Sequence, residues 1–156
     1  MIYWFLALAQ AAAPAPDCSR PQPLPAALSG WTASGDSLAS GRALTLPAGQ
    51  DAGLIALMPA PSRPGGVAAV SFVAPRPGVY GIAVDQGAWV DVYQDRESGS
   101  TLLQSVAHGH GPPCSGIRKI VRFRLDGGVH ILHLSGMTGP AAKVMLIAED
   151  EAAPQR

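Results

Sequence analysis

The chain has 156 residues, eleven basic and eleven acidic side chains, no net formal charge, and 47% hydrophobic residues. That length suits one domain able to bury a core without a cofactor. The cancelled charge leaves no overall field to draw in nucleic acid, so the expected partners are a small molecule, a carbohydrate or an envelope protein.

The chain opens on a short apolar run, Ile2 to Ala9, followed by Ala9-Gln10-Ala11, the small-x-small pattern that a signal peptidase cuts. The run is too short to cross a bilayer. We therefore expect a signal peptide at 1–11, although no Lys or Arg precedes Arg20. An Ala/Pro-rich linker is expected at 12–30, with Pro at 14, 16, 21, 23 and 25, then a β-sandwich domain at 31–149 and a disordered tail at 150–156. No later stretch is apolar enough to be a transmembrane span, and the expected location is periplasmic or secreted. In that oxidising setting Cys18 and Cys114 have one intramolecular pairing open to them, which would pin the N-terminal segment to the chain just after His110.

No long amphipathic helical period appears. Short apolar runs recur between Gly and Pro, at 42–46, 53–58, 67–73, 79–84, 88–93, 101–107, 117–125, 129–134 and 143–148. This pattern predicts an all-β fold, an antiparallel sandwich of about eight or nine strands. Pro77-Gly78 makes a turn, after which Tyr80, Ile82 and Val84 share one face. In the next run Val90 and Val92 oppose Trp89, Asp91 and Tyr93. Val121 to Leu125 alternates, and Asp126-Gly127 leads into Val129 to Leu134, which predicts a β-hairpin over residues 117–135. Arg118, Arg122 and Arg124 fall on one side of that segment, beside Lys119, and are expected to form a solvated outer face.

The arrangement of a turn, an aromatic and alternating aliphatics, as in Pro77-Gly78-Val79-Tyr80-Gly81-Ile82, resembles the small jelly-roll modules of exported bacterial proteins, including pre-peptidase C-terminal and carbohydrate-binding modules. The resemblance covers about residues 65–148 and implies a fold more than a chemistry. Residues 105–119, which contain His108-Gly109-His110-Gly111-Pro112-Pro113-Cys114-Ser115-Gly116, look like the signature of a family of small exported bacterial proteins often labelled homogentisate 1,2-dioxygenase. Homogentisate dioxygenases themselves are far longer and hold iron through two His and one Glu, and no Glu stands at a recognisable spacing from the two imidazoles here; the resemblance implies membership of a family of uncharacterised function.

His108 and His110, at i and i+2 of an extended segment, point the same way and could hold one divalent transition metal together. A third ligand would come from Asp91, His130 or His133, with Asp91 preferred for a non-haem iron site. His130 and His133 lie on opposite faces of their strand, so we expect His130 in the core and His133 in solvent. Trp89 and Tyr93 are candidates to stack on a sugar ring or a partner surface, and Arg118 is a candidate anion contact. Ser115 lacks a nucleophile elbow, and Cys114 is no nucleophile once bridged. The favoured function is a disulfide-stapled module that binds a ligand or partner in the cell envelope without catalysis. The alternative is a small metal-dependent oxygenase using His108 and His110.

Overall fold

The computed structural model describes residues 12–149. The expected signal peptide and tail lie outside the described residues. Ten strands form two sheets: β1 (Ser34–Gly35), β2 (Ala43–Pro47), β3 (Gly66–Ala74), β4 (Gly78–Val84), β5 (Trp89–Arg96), β6 (Gly99–Leu102), β7 (Ser105–Gly109), β8 (Lys119–Leu125), β9 (Gly128–Met137) and β10 (Ala141–Glu149). One sheet has the order β1-β2-β10-β4-β8-β7 and the other β3-β9-β5-β6. Every pairing is antiparallel except β1 with β2. With β1 and β7 set aside, β2-β10-β4-β8 faces β3-β9-β5-β6, which is a jelly roll. Among the described residues no helix is long and apolar enough to cross a membrane.

Alternation along the strands sends one set of side chains inward from each sheet. Tyr80, Ile82 and Val84 of β4, with Val121, Phe123 and Leu125 of β8, meet Phe72 of β3, Val90 and Val92 of β5, and Leu132 and Leu134 of β9 in one continuous core. Tyr80 reaches the rim of this core, where its hydroxyl donates to the Arg76 carbonyl at 2.8 Å. A buried tyrosine is tolerated there because its polar end is satisfied.

The expected hairpin over 117–135 does not form. β8 pairs with β4 and β7, whereas β9 pairs with β3 and β5 in the opposite sheet. Asp126-Gly127 does turn the chain, but the turn carries it across the sandwich. Both flanking segments alternate cleanly, and such alternation fixes which side chains go inward without fixing which sheet receives them. Two other segments differ from expectation. Residues 101–107 are divided between β6 and β7, which belong to different sheets. The apolar run 53–58 is a helix, α1 (Ala52–Leu57), because the Asp51 carboxylate caps it by accepting from the Leu54 amide at 3.0 Å. A run this short has no period to separate strand from helix, so the cap decides.

Each sheet also carries a layer on its outer face. Against the four-stranded sheet, Met58 together with Leu54 and Ile55 of α1 packs on Ala69, Tyr93 and Ile131. Against the six-stranded sheet lies a 3₁₀ helix, Ala26–Thr32, which buries Leu28 and Trp31 with Ile120, Met145 and Ile147. The Lys143 ammonium sits 4.7 Å above the Trp31 ring. Residues 12–25, by contrast, form neither helix nor strand.

The expected disulfide is present: Cys18 and Cys114 are bonded, with Cα atoms 5.2 Å apart and a separation of 96 positions in sequence. The bond fastens the segment before the 3₁₀ helix to the loop that ends at Ile117, a member of the same outer layer as Trp31. Closing a loop of that length contributes about 4 to 5 kcal/mol by restricting the unfolded chain. Reduction, or the Cys18→Ser/Cys114→Ser variant, should lower the unfolding free energy by up to this amount in urea titrations. Identical midpoints with and without reductant would contradict the staple's role.

Candidate ligand cavities around Trp89

Trp89 begins β5 and is 50% exposed, the only half-bare tryptophan among the described residues. Two concavities meet at its ring. The first, of about 390 Å³, lies on the outer face of the four-stranded sheet, beneath residues 59–63. Trp89, Asp91 and Tyr93 of β5 line it because they alternate outward, and they stand beside Ser135, His133 and Ile131 of β9 in register. The second, of about 280 Å³, opens between the sheets, where β7 forms an edge of the six-stranded sheet.

In the first cavity the Trp89 indole N–H donates to Asp91 Oδ1 at 3.1 Å. The Arg63 guanidinium lies 4.7 Å from the ring centroid and covers one face of the indole. Trp89 and Tyr93 do share the outer face, as expected, but they do not present a common platform. Tyr93 is 7% exposed and packs with Met58, while Trp89 stays open. Burial, and secondarily the Asp91 charge, pushes the Tyr93 hydroxyl above its usual range.

His133 is a correction. It was expected in solvent and is 3% exposed, because the chain from α1 to Arg63 roofs the face it occupies. Neither ring nitrogen has a hydrogen-bond partner among the described residues. Burial holds the imidazole below its ordinary value of 6.5, against an opposing pull from Asp91 on the neighbouring strand. His133 is thus a neutral ring with one donor and one acceptor unused at the floor of a cavity. His130 is fully buried on the opposite face, as expected, stacked on Phe72 at 5.6 Å with its Nδ1 3.0 Å from the Gly128 carbonyl. Its Nε2 lacks a partner.

The second cavity gathers His108 and His110. The β7–β8 register sets His108 opposite Val121, an inward-facing core residue, and His110 follows two positions on. Both imidazoles line one cavity, as their spacing predicts. His110 Nδ1 is 3.2 Å from the Arg118 carbonyl, so that nitrogen donates and Nε2 is left for another partner. Lys119 and Val90 complete the lining on either side. Arg118 itself is exposed and lines neither cavity; its backbone N–H donates to Val84. Arg122 pairs with Glu149 and Arg124 is exposed, in keeping with an outer basic face.

Asp91 lines the first cavity and not the second, and it belongs to the other sheet from His108. Among the described residues no three His, Cys, Asp or Glu side chains come together in a set that could hold a metal ion. Ser115 is committed to the loop: its Oγ donates to the Pro112 carbonyl at 2.7 Å and accepts from the Ile117 amide at 3.0 Å. Gly111 is required in that loop, since a Cβ there would collide with Ile117.

Sequence reasoning missed Lys119, Arg63 and the roof over His133. Alternation with Val121 and Phe123 was legible and places Lys119 inward, a signal masked by its basic neighbours. Arg63 and the roof sit in a Pro-rich loop that carries no periodic signal.

Because folded His133 resists protonation, the unfolded chain takes up a proton first as pH drops below about 6.5. The stability tied to a neutral His133 is full above that pH and is lost as pH falls toward the depressed folded value. A His133→Leu variant should therefore gain on the wild type, in unfolding free energy, between about pH 8 and about pH 5. A difference independent of pH would contradict a buried neutral ring. Comparison with protein-family models, with curated proteins and with solved structures finds no match to this chain.

Proposed function

We propose that this chain is a non-catalytic binding module of the cell envelope, a disulfide-stapled sandwich that takes up a small molecule or carbohydrate at Trp89. The carrying observation is Trp89 itself. A large aromatic ring left half bare costs hydrophobic free energy, and here it stands between two cavities, the first of which holds the buried His133 imidazole without a hydrogen-bond partner among the described residues.

Export to an oxidising compartment is part of the same proposal and is supported by the Cys18–Cys114 bond, since such bonds persist where thiols are not kept reduced. Binding rather than turnover is favoured by the side chains present. Cys114 is bridged and the Ser115 hydroxyl is held by its own loop, so neither is poised as a nucleophile. A sugar stacking on Trp89 from the first cavity has to displace Arg63 from the ring.

A thermal-shift screen of glycans and small molecules tests this. At a hundredfold excess over its dissociation constant, a ligand should stabilise the wild type by about 2.7 kcal/mol, a shift of several degrees. The Trp89→Ala variant, altered at an exposed position, should fold and lose the shift. A ligand that stabilises both proteins equally, or a screen without any hit, would overturn the proposal.

A further inference from the structure

The inner face of β8 is apolar from Val121 to Leu125, yet by alternation its first residue, Lys119, points the same way. Lys119 is partly buried and makes no hydrogen bond or ion pair among the described residues. His108 and His110 reach the same cavity from β7. Three nitrogen-bearing side chains thus converge on a recess otherwise walled by Trp89, Val90, Ser105, Gly109 and Val121.

The charges that Lys119 senses do not balance it. Burial and the like charge of Arg63 both disfavour its ammonium form, and Asp91 alone opposes them. The Asp91 carboxylate already accepts from the Trp89 indole and lines the other cavity. An ammonium withdrawn from water without an acceptor is costly, and an anion entering the recess removes that cost. A divalent cation would meet repulsion from the same ammonium.

We infer that the recess between β5, β7 and β8 binds a small organic anion with a flat apolar body. Its acid group meets Lys119 and His108, and its body lies among Trp89, Val90 and Val121. The inference rests on the proposed binding role and specifies the ligand's chemistry.

Titration of the ¹⁵N-labelled protein, followed at the Trp89 indole N–H, separates the contributions. Benzoate supplies both charge and ring, benzyl alcohol the ring alone, and inorganic phosphate the charge alone. Benzoate should bind at least about tenfold more tightly than either, the ratio expected for one charge-assisted contact. Lys119→Met should erase that preference, while Lys119→Arg should retain it. Benzyl alcohol or phosphate binding as well as benzoate, an unaltered preference in Lys119→Met, or no response to any probe would overturn the anion inference. If a screen hit still acts through Trp89, the binding role stands and only the ligand class falls. A blank screen removes both.

Discussion

Everything in this molecule depends on burying the inner face of one sheet against the inner face of the other. Phe123 and Leu125 have no other place to leave water than against Leu132, Leu134 and Val92, so the chain returns repeatedly from one sheet to the other. Once β8 and β9 lie on opposite sides of the core, their outer faces are free to carry separate layers. Trp31 and the 3₁₀ helix cover one face; Met58, α1 and the loop to Arg63 cover part of the other. The Cys18–Cys114 bond fixes the first of these layers covalently. The second is held by apolar contacts and by Arg63 over the Trp89 ring, and it leaves a cavity beside it.

That incomplete covering is the origin of the candidate site. A buried polar group without a partner costs on the order of 1 to 3 kcal/mol, and His133 carries two such nitrogens. Lys119 adds an inward-facing cation at the open end of the core. Nothing in packing a jelly roll calls for these residues. An aliphatic side chain at either position would satisfy the sandwich better, and the proposed binding role rests on that mismatch. Trp89 joins the two concavities, and its indole N–H, held by Asp91, fixes the orientation of the ring between them.

The fold class was legible because alternation is strong where one side of a strand is buried. Val79 to Val84, Trp89 to Tyr93 and Val121 to Leu125 all occupy strands with the expected residues inward. The disulfide was legible from two cysteines in a chain expected to be exported, where a single intramolecular pairing is open to them. Pairing was not, since Asp126-Gly127 serves a hairpin and a crossover equally well. The helix at Ala52–Leu57 was hidden because its cap, Asp51, lies outside the apolar run that drew attention. His133 was misplaced for a related reason: its face of β9 is outward, and only the loop that folds over it makes that face dry. The spacing of His108 and His110 correctly put both rings in one place, while a third ligand is a matter of three-dimensional proximity that no spacing encodes.

The most direct test of this architecture, and of the site built on it, is the position of β9 between β3 and β5. Cross-strand backbone NOEs in the oxidised protein should connect His133 to Asp91 on one side and to Ala69 on the other. Contacts running instead from β9 to β8, such as Val129 with Arg124, would restore the hairpin, move His133 away from Trp89, and contradict the site.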